Sequence, residues 1–452
     1  MLILGAARQG LALARFLSRH GAKVTLSDQK PAEQMESIQK ALGDVPPVNL
    51  AFGGHPLTLL DETDLLCLSG GIPLTLPIVI DAQRRGIPIS NDSQIFMEAV
   101  PCRVIGITGS AGKTTTTTLV GRMTETAVTT PHKAWVGGNI GLPLIDFLDE
   151  INPGDTVILE LSSFQLEQMT LAPQVAAILN ITPNHLDRHV TMQAYTAAKA
   201  RSLAYQTSSD VAVLGRDDPG AWGLASQVRG KLISFGLEQP DKGQTGTFYH
   251  SGRLYLQDGS AELELMEQDA ILLRGEHNLL NILAACAVAR AAGFPVDAMR
   301  KGVLGFTGVP HRLEFVRQYR EADWYNDSIA TAPERSMAAI HAFSEPLVLL
   351  LGGRDKKLPW QELADLIHQR VDHVIVFGET SEKVLKALGP VEPGKRPFTI
   401  NQCQGLQEAI HTAAAVIEPG DVVLLSPGGT SFDEFIDFEQ RGERFRLWVN
   451  QL

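Results

Sequence analysis

Short apolar runs alternate with stretches of mixed polarity along the first hundred residues. The runs "MLILG", "KVTLSD" and "DLLCLSGGI" each read as a buried strand that ends in a glycine or polar turn. Between them, "LALARFLSRHG" has helical spacing and a glycine stop. This alternation predicts a parallel sheet with helices on its faces. The segment "EAVPCR", around Pro101, is predicted to be a linker.

The same pattern resumes after Pro101 with "RVIGITGSAGKTTTT", which predicts a strand, a loop and a helix. Further strands are predicted at "DTVILELSS", "VAAILNIT" and "DVAVLG". The segments "KLISFGL", "GTFYHSGRLYLQDG" and "AELELM" then alternate in the manner of antiparallel hairpins. A helix, "NLLNILAACAVARAAG", is predicted to end at Gly293, and residues 305–312 suit a hinge.

The last region contains three buried runs, "LVLLLGGRD", "HVIVFGE" and "DVVLLSPGG", which predict another doubly wound sheet. Ligands of such sheets bind at the carboxyl ends of the strands. We therefore predict an α/β protein of three domains, each built on a mostly parallel sheet. Their expected bounds are residues 1–100, 101–307 and 308–452.

Composition limits the possible partners. The 452 residues include 39 Lys and Arg against 51 Asp and Glu, a net charge of −12, which argues against non-specific nucleic-acid binding. The four cysteines form no CxxC pair and fit thiols in a reducing cytosol. No apolar run reaches the roughly 20 residues that span a bilayer. We expect a soluble, cytoplasmic, monomeric protein without stable membrane insertion.

The segment "GITGSAGKTTTT" has the chemistry of a phosphate-binding loop. The pattern GxxxxGK[ST] needs glycine where the chain has Ile107, but Gly109 and Gly112 still free backbone N–H groups for a polyphosphate. Lys113 would reach the β- and γ-phosphates, and the Thr114 hydroxyl would hold Mg²⁺. The alternative is an ordinary glycine turn. We predict a central P-loop domain between two Rossmann-like domains.

Two further signals are weaker. Glu160 ends an apolar strand, where a carboxylate is costly unless it binds metal or forms a structural ion pair. In the first domain, Gly5 and Gly10 fit the dinucleotide pattern GxGxxG, but Ala7 takes the middle position. A strict nicotinamide-dinucleotide site is therefore weakly supported.

The motifs "GITGSAGKTT", "VGGNIG", "ELSSFQLE", "NITPNHLDRH", "YTAAKARS", "GEHNLLN", "GVPHRLEFV", "YNDSIAT", "LLLGGRDKK" and "SPGGTSFDEFIDFEQRGERF" occur in this order. Together they resemble the Mur ligases over all three regions. The resemblance implies that the first domain holds a uridine nucleotide, the second ATP and the third an amino acid. The implied activity is ATP-dependent addition of D-glutamate to UDP-N-acetylmuramoyl-L-alanine for peptidoglycan, through an acyl phosphate and a tetrahedral intermediate.

The resemblance implies catalytic roles for Lys113, Glu160, His185 and Lys199. It implies two Mg²⁺ ions held by Thr114, Glu160, His185 and a carbamylated Lys199. It implies ATP-binding roles for Gly109, Gly112, Lys113, Thr114, Thr115, Asn278, Asn281, Arg312 and Asp327. From the residues alone, His185 could be structural, Lys199 a surface lysine and Asn278 a helix N-cap.

The resemblance further implies substrate-binding residues: Arg8, Gln9, Asp28, Ser69, Gly71, Asn139, Ser162, Lys356, Ser431 and Phe438. Lys357 competes with Lys356, which could also be a solvated loop charge. His311 is a possible substrate contact, and Asp187 and His189 are expected to support His185.

The chain departs from many relatives at three places. Ile329 stands where the NDSKAT motif has lysine, which removes a charge near the ATP or amino-acid site. Asn184 stands where aspartate is common, and Ser110-Ala111 replaces the usual Thr-Asn.

Other functions stay open at this stage. One is a sister ligase that uses another amino acid or L-glutamate, although the DNPR-like motif expected of a diamino-acid ligase is missing. Another is a nicotinamide-dependent oxidoreductase. A third is a P-loop switch or scaffold that binds ATP without ligation.

Overall fold

The protein is an α/β protein with three mostly parallel sheets, which confirms the predicted fold class. The computed structural model describes residues 1–31, 33, 35–184, 186–356 and 358–452. It does not describe the side chains of Met35, Leu186 and Asp187. None of the described helices has the length and apolar character needed to cross a membrane.

The chain forms two compact units. Unit 1 comprises Met1–Leu272 and Glu276–Phe306, and unit 2 comprises Leu273–Gly275 and Thr307–Leu452. The passage from one unit to the other after Phe306 lies in the segment predicted as a hinge. The further division of unit 1 at residue 100, and with it the three-domain scheme, stays a prediction.

The first sheet of unit 1 has five parallel strands. These are β1 (Leu2–Leu4), β2 (Thr25–Asp28), β3 (Asn49–Phe52), β4 (Leu66–Leu68) and β5 (Ile89–Ser90). Their order is β3-β2-β1-β4-β5. Its helices are α1 (Arg8–Arg19), α2 (Met35–Leu42), α3 (Pro77–Arg84) and α4 (Asp92–Ala99). The central strands β1 and β4 are buried throughout, as expected of a parallel sheet covered on both faces.

The second sheet has nine strands. These are β6 (Arg103–Thr108), β7 (Ala134–Gly138), β8 (Thr156–Glu160), β9 (Val175–Ile178), β10 (Val211–Gly215), β11 (Lys231–Phe235), β12 (Thr245–His250), β13 (Arg253–Asp258) and β14 (Ala261–Glu267). Their order is β14-β13-β12-β11-β10-β9-β6-β8-β7. Its helices are α5 (Lys113–Ala127), α6 (Ser163–Leu166), α7 (Leu186–His189), α8 (Met192–Ala204), α9 (Pro219–Trp222), α10 (Glu276–Ala291) and α11 (Val296–Val303).

Strands β12, β13 and β14 pair antiparallel, as predicted. The prediction for "KLISFGL" was wrong, because β11 runs parallel to both β10 and β12. The connection at residues 236–244 is longer than a tight hairpin loop and returns the chain to the end of the sheet where β11 began.

The third sheet lies in unit 2. Its strands are β15 (Glu314–Tyr319), β16 (Ala322–Asn326), β17 (Leu347–Gly352), β18 (His373–Phe377), β19 (Thr399–Cys403) and β20 (Val422–Gly428). Their order is β15-β16-β20-β17-β18-β19, and only the β15–β16 pair is antiparallel. Its helices are α12 (Pro333–His341), α13 (Gln361–Arg370), α14 (Ser381–Leu388), α15 (Leu406–Val416) and α16 (Phe438–Gln451). Short 3₁₀ helices lie in unit 1 at Leu57–Leu60, Leu144–Glu150, Ala225–Gln227 and Gln268–Ala270.

The turn from β1 into α1 shows why the chain keeps the first and last glycines of the GxGxxG pattern, Gly5 and Gly10. Gly5 has a φ of 97°, which favours glycine. A Cβ on Gly10 would lie 1.9 Å from the Gly5 carbonyl oxygen, so α1 can approach the turn this closely only with glycine there. Ala7 tolerates its position because its backbone is extended.

Gly10→Ala is expected to lower the free energy of unfolding by about 2 kcal/mol or more, because the added methyl group meets a backbone oxygen that cannot move aside. Chemical denaturation measures the change. Gly71→Ala is a matched control, since a Cβ at Gly71 would meet nothing within 4 Å. Equal stability of the two variants would contradict the close packing of α1 on the Gly5 turn.

Candidate active site

The predicted phosphate-binding loop connects β6 to α5 at residues 109–112. Gly112 has a φ of 80°, and a Cβ there would lie 2.1 Å from Oδ1 of Asn281. The Lys113 ammonium bends back over the loop and donates to the carbonyl oxygens of Gly109, at 3.0 Å, and Ser110, at 3.3 Å. The loop is therefore closed on one side by α10 and carries a lysine across its opening, which is more than an ordinary glycine turn provides.

Glu160 ends β8 and is 2% exposed. Its carboxylate accepts a hydrogen bond from the Thr114 hydroxyl at 2.8 Å and from the Asn139 side-chain amide at 3.1 Å. Among the described residues, no cation lies within the 4.0 Å that defines an ion pair with it. Hydroxyl and carboxylate oxygens side by side next to a phosphate loop are the ligand type that Mg²⁺ prefers.

Lys199 lies on α8 and is 1% exposed, so its interpretation as a surface lysine is wrong. Its ammonium donates to the Gly109 carbonyl oxygen at 2.8 Å and lies 4.7 Å from the Tyr195 ring centroid. Burial, together with the positive charge of Lys113, lowers the pKa of Lys199 to about 7 against the opposing effect of Glu160. A substantial fraction of this side chain is therefore a neutral, nucleophilic amine near neutral pH.

A cavity of about 360 Å³ opens beside the loop. It is lined by Ala111, Gly112, Leu179, Asn180, Gly215, Asp217, Asp218, Phe235, His277, Leu280 and Asn281. The Asn281 side-chain amide donates to Oδ1 of Asn278 at 3.2 Å. Since α10 begins at Glu276, Asn278 lies inside its first turn, and the N-cap interpretation was wrong. Thr115, further along α5, is buried.

Four polar residues that no sequence motif indicated also line this cavity: Asn180, Asp217, Asp218 and His277. The signal that could have found them is position, because they follow the carboxyl ends of β9 and β10 or open α10. The Asp218 carboxylate caps α9 by accepting from the Ala221 backbone N–H at 2.7 Å.

A second cavity in unit 1, of about 420 Å³, lies where the loop after β4 meets α6 and α7. Its lining residues are Leu68, Ser69, Gly70, Ile72, Pro73, Leu74, Thr75, Asn91, Phe164, Gln165, Glu167, Gln168, Arg188, His189 and Val190. Arg188 donates to the Gly71 carbonyl oxygen at 3.2 Å and lies over the Phe164 ring at 4.7 Å. The predicted substrate residue Ser162 caps α6 in a capping box with Gln165.

The five predicted uridine-site residues lie at, or shortly after, the carboxyl ends of β1, β2 and β4. Asp28 accepts from the Ala6 backbone N–H at 2.6 Å, which fixes its carboxylate beside the first turn. Ser69 donates to the Gly5 carbonyl oxygen at 3.0 Å. Arg8 is exposed at the first position of α1, and Gln9 lies against Gly70, which neighbours the predicted Gly71.

Asp327 follows β16 in unit 2 and is buried. Its carboxylate accepts from the Ser426 hydroxyl at 2.9 Å and from the Leu313 backbone N–H at 3.2 Å. Burial nevertheless raises the pKa of Asp327 to about 7, while the charge of Arg312 acts in the opposite direction. The carboxyl group can therefore be protonated at a pH at which most aspartates are ionised.

The predicted amino-acid residues follow the carboxyl ends of β17 and β20, and two of them contact the loop that follows β16. The Lys356 ammonium donates to the Thr331 hydroxyl at 3.2 Å. Phe438 opens α16, and its carbonyl oxygen accepts from the Ser328 hydroxyl at 2.8 Å. Ser431 is buried. Thr331 was not predicted as a residue of this site, because its partner Lys356 is 25 positions away in the chain.

His185 and Lys357 lie outside the described residues, as does the Asp187 side chain. His189 is buried, with Nε2 2.9 Å from the Ser163 hydroxyl. His311 is buried, and its Nδ1 lies 3.0 Å from the side-chain amide nitrogen of Asn326. No cluster of three His, Cys, Asp or Glu side chains within the described part of the chain could hold a metal ion.

Comparison with protein families matches all three sheets in turn. Residues 1–91 match the family described as "Mur ligase MurD-like, N-terminal domain". Residues 107–289 match "Mur ligase middle domain", and residues 311–429 match "Mur ligase, glutamate ligase domain".

Curated relatives match over the whole chain. A UDP-N-acetylmuramoylalanine--D-glutamate ligase of Symbiobacterium thermophilum is 38% identical over 450 residues, covering 100% of this chain and 97% of its own. A protein of the same name from Koribacter versatilis is 37% identical over 453 residues, with the same coverage.

Solved structures show the same fold at low identity. MurC of Thermotoga maritima, a UDP-N-acetylmuramate-alanine ligase, has a TM-score of 0.57 at 20% identity, covering 100% of this chain and 99% of its own. MurF of Acinetobacter baumannii has a TM-score of 0.59 at 18% identity, covering 95% and 92%. MurF of Thermotoga maritima, solved in complex with ADP, has a TM-score of 0.57 at 18% identity, covering 96% and 99%.

Asp327→Asn is expected to change the pH dependence of stability. The folded-state pKa is raised from 3.8 to about 7, so the folded protein binds more protons than the unfolded chain between these values. Wild-type stability therefore falls as pH rises from about 4 to about 7, and the asparagine variant lacks this fall. The free energy of unfolding of the variant relative to wild type should increase by on the order of 3 kcal/mol across this range.

Urea denaturation at a series of pH values measures this difference. Asp365→Asn, at an exposed position of α13, is the matched control and should follow the wild-type profile. An Asp327→Asn profile parallel to wild type would contradict the raised pKa.

Proposed function

Because the chain belongs to the Mur ligase family, we propose that it joins D-glutamate to UDP-N-acetylmuramoyl-L-alanine in an ATP-dependent reaction of peptidoglycan precursor synthesis. Relatives that carry this activity in their name match the chain from end to end. The structural observation that carries the proposal is the grouping of Lys113, Lys199 and the Thr114–Glu160 pair around one phosphate-binding loop.

The residues around the loop fit ATP. Backbone N–H groups of the loop and the positive end of α5 suit phosphates, and the Lys113 ammonium can move from its carbonyl partners to a phosphate oxygen. The neighbouring cavity suits a purine ring, with Asn281 and Asn278 offering amide groups to its edge. The Thermotoga maritima MurF solved with ADP is a fold relative, and its ligand is consistent with use of an adenine nucleotide.

The same residues fit Mg²⁺. The Thr114 hydroxyl and the Glu160 carboxylate would hold one ion, and Asn139 would keep the carboxylate oriented. When bound, the ion neutralises phosphate charge. The proposed second ion would use His185, which lies outside the described residues, together with a carbamate on Lys199.

Lys199 has the surroundings that carbamylation requires. Its neutral amine attacks carbon dioxide, a nitrogen–carbon bond forms and one N–H proton is released to solvent. The product is an anion, and it removes the positive charge that now faces Lys113 across the Gly109 carbonyl. Burial, which disfavours the ammonium form, leaves the amine free to react.

Residues of the first sheet are proposed to hold the uridine diphosphate. The N–H groups at the start of α1, near Arg8 and Gln9, suit phosphate. Asp28, whose carboxylate is anchored beside the turn, suits uracil or ribose. Ser69 and Gly71 are proposed to line the same uridine diphosphate site. Asn139 and Ser162 are proposed contacts for the remainder of the substrate.

Residues of unit 2 are proposed to bind the amino acid. Lys356 supplies a cation for a carboxylate, with Thr331 and Ser431 as hydroxyl partners and Phe438 as an apolar wall. Arg312 and Asp327 are proposed to serve ATP, where a guanidinium can bind phosphate bidentately.

The proposed chemistry makes specific demands on these residues. The substrate carboxylate attacks the γ-phosphorus of ATP, ADP leaves and an acyl phosphate forms. The amine of D-glutamate then attacks the acyl carbon to give a tetrahedral intermediate, which loses phosphate and one proton as the amide bond forms. Lys113 stabilises negative charge on the phosphoryl oxygens as it moves. The proposed amino-acid residues of unit 2 would hold the amine donor, so that its attack is effectively unimolecular.

The competing interpretations lose support. A nicotinamide enzyme needs the middle glycine that Ala7 replaces, and a scaffold needs no buried, near-neutral lysine at its phosphate loop. We further propose a cytoplasmic monomer that acts on small molecules.

Phosphate release is the direct measurement of the function. With ATP, Mg²⁺ and UDP-N-acetylmuramoyl-L-alanine, release should depend on D-glutamate and not on L-glutamate or a diamino acid. Lys113→Ala should reduce the rate at least about 1,000-fold while leaving the fold intact, because it removes the charge that stabilises the transferred phosphoryl group. Release that is indifferent to D-glutamate would remove the proposal.

Carbamylation of Lys199 has its own readout. Protein equilibrated with ¹³C-bicarbonate should give a carbamate carbon signal that disappears on mild acidification, and native mass spectrometry should show the loss of one carbon dioxide. Lys199→Ala should lack the signal and lose activity by about 100-fold. Lys231→Ala, an exposed lysine on β11, is the control and should retain both. A signal that persists in Lys199→Ala would rule out this site.

A further inference from the structure

Two exposed cationic side chains of unit 2, Arg335 and Lys356, donate hydrogen bonds to the loop that follows β16, residues 327–331. Nη1 of Arg335, in the first turn of α12, donates to the Ile329 carbonyl oxygen at 3.2 Å. Lys356, from the loop after β17, donates to the Thr331 hydroxyl at 3.2 Å. Two positive charges from separate elements therefore converge on neighbouring positions of one short loop.

A third cation lies beneath the same loop. Arg441 of α16 is 0% exposed and donates to the Ser328 carbonyl oxygen at 2.9 Å, to the Ser328 hydroxyl at 3.0 Å and to the Gly429 carbonyl oxygen at 3.1 Å. It ties the loop after β16 to the loop after β20. Because it is fully buried, it supports the loop and adds positive charge from below.

The partners of these three cations are neutral oxygens. Among the described residues, no carboxylate lies within the 4.0 Å ion-pair distance of Arg335, Lys356 or Arg441. Other arginines of unit 2 do pair with carboxylates, as Arg354 does with Glu379 and Arg446 with Glu314.

The charges affect one another. Burial lowers the pKa of Lys356, and the positive charges of Arg335 and Arg441 lower it further, against a smaller opposing effect of Glu334. This mutual repulsion is relieved when an anion enters between the exposed cations. A site with two cations on one edge is matched to a ligand with two carboxylates, and a guanidinium can bind one of them through two N–H groups.

The position of Arg335 also bears on the departure at Ile329. The apolar side chain there leaves the loop without a charge of its own, yet the carbonyl oxygen of the same residue holds the Arg335 guanidinium. A cation is therefore present at this loop, supplied from α12.

We propose that Arg335 is a substrate-binding residue that, beside Lys356, binds a carboxylate of a dicarboxylic amino acid and so contributes to selection of that class. The inference rests on the proposed function, because it assigns the site to the acceptor amino acid. Arg335 is exposed, so it can release the Ile329 carbonyl and turn to a ligand without unfolding any element.

Steady-state kinetics of Arg335→Ala test the inference. The KM for D-glutamate should rise by about ten- to a hundredfold, the loss expected for one charge-assisted hydrogen-bonding partner. The KM values for ATP and the UDP-linked substrate should stay within about twofold of wild type. Arg335→Gln, which keeps the length and hydrogen-bonding groups without the charge, should show a similar rise and guards against a packing defect.

Charge relocation distinguishes binding from a structural effect. Adding Ile329→Lys to Arg335→Ala returns a cation to the loop and should recover at least about half of the lost affinity on a logarithmic scale. Arg444→Ala, at an exposed position of α16, is the control and should leave the KM for D-glutamate unchanged.

The outcomes separate the two levels of the proposal. Wild-type turnover that depends on D-glutamate, with an unchanged D-glutamate KM in Arg335→Ala, overturns the role of Arg335 and leaves the proposed function standing. A rise in the KM for ATP alone places the guanidinium at the nucleotide and also overturns it. Wild-type turnover that never depends on D-glutamate removes the proposed function and this inference together.

Discussion

The Gly109 carbonyl oxygen accepts hydrogen bonds from two lysine ammonium groups, those of Lys113 and Lys199. Two like charges on one acceptor repel each other, and the buried Glu160 carboxylate compensates only part of this. Two events relieve the repulsion. Lys113 can transfer to a polyphosphate, and Lys199 can lose its proton and become a nucleophile toward carbon dioxide. The repulsion between the two ammonium groups therefore favours binding of a polyphosphate and carbamylation of Lys199.

The three sheets place their polar side chains by the same rule. Each presents polar side chains at the carboxyl ends of buried parallel strands, where the chain must turn and where side chains are not needed for the core. In unit 1 these ends carry Asp28, Ser69 and Glu160, and in unit 2 they carry Asp327 and Lys356. The buried strands themselves are almost entirely aliphatic, so the chemistry and the stability of the protein reside in different residues.

Sequence patterns predicted the parts of this arrangement that are local. Buried strands, the glycine-rich loop and the carboxylate at the end of β8 each follow from a run of neighbouring residues. Patterns failed where the decisive partner is distant. Lys199 reads as an ordinary helix lysine until β6 and its loop are packed against α8. Asn278 is compatible with an N-cap until the start of α10 at Glu276 is known. The parallel pairing of β11 with β12 depends on the path of the connecting loop, and the loop sequence has no hydrophobic periodicity that would reveal it. Thr331 and Arg335 acquire meaning only through contacts that the folded loop after β16 makes.

The net charge of −12 makes the positive edge of unit 2 more informative than it would be in a basic protein. An acidic protein repels anionic ligands at long range, so it must concentrate positive charge where such ligands bind. If Arg335, Lys356 and Arg441 served stability alone, pairing them with the abundant carboxylates would cost less free energy than holding them against neutral oxygens. Their partners are instead three carbonyl groups and two hydroxyl groups on two loops, those that follow β16 and β20. Asp433 and Glu434 act on the buried Arg441 only at a distance, and Glu334 acts in the same way on Lys356. The exposed cations Arg335 and Lys356 are therefore the two that we propose to pair with a carboxylate of the substrate.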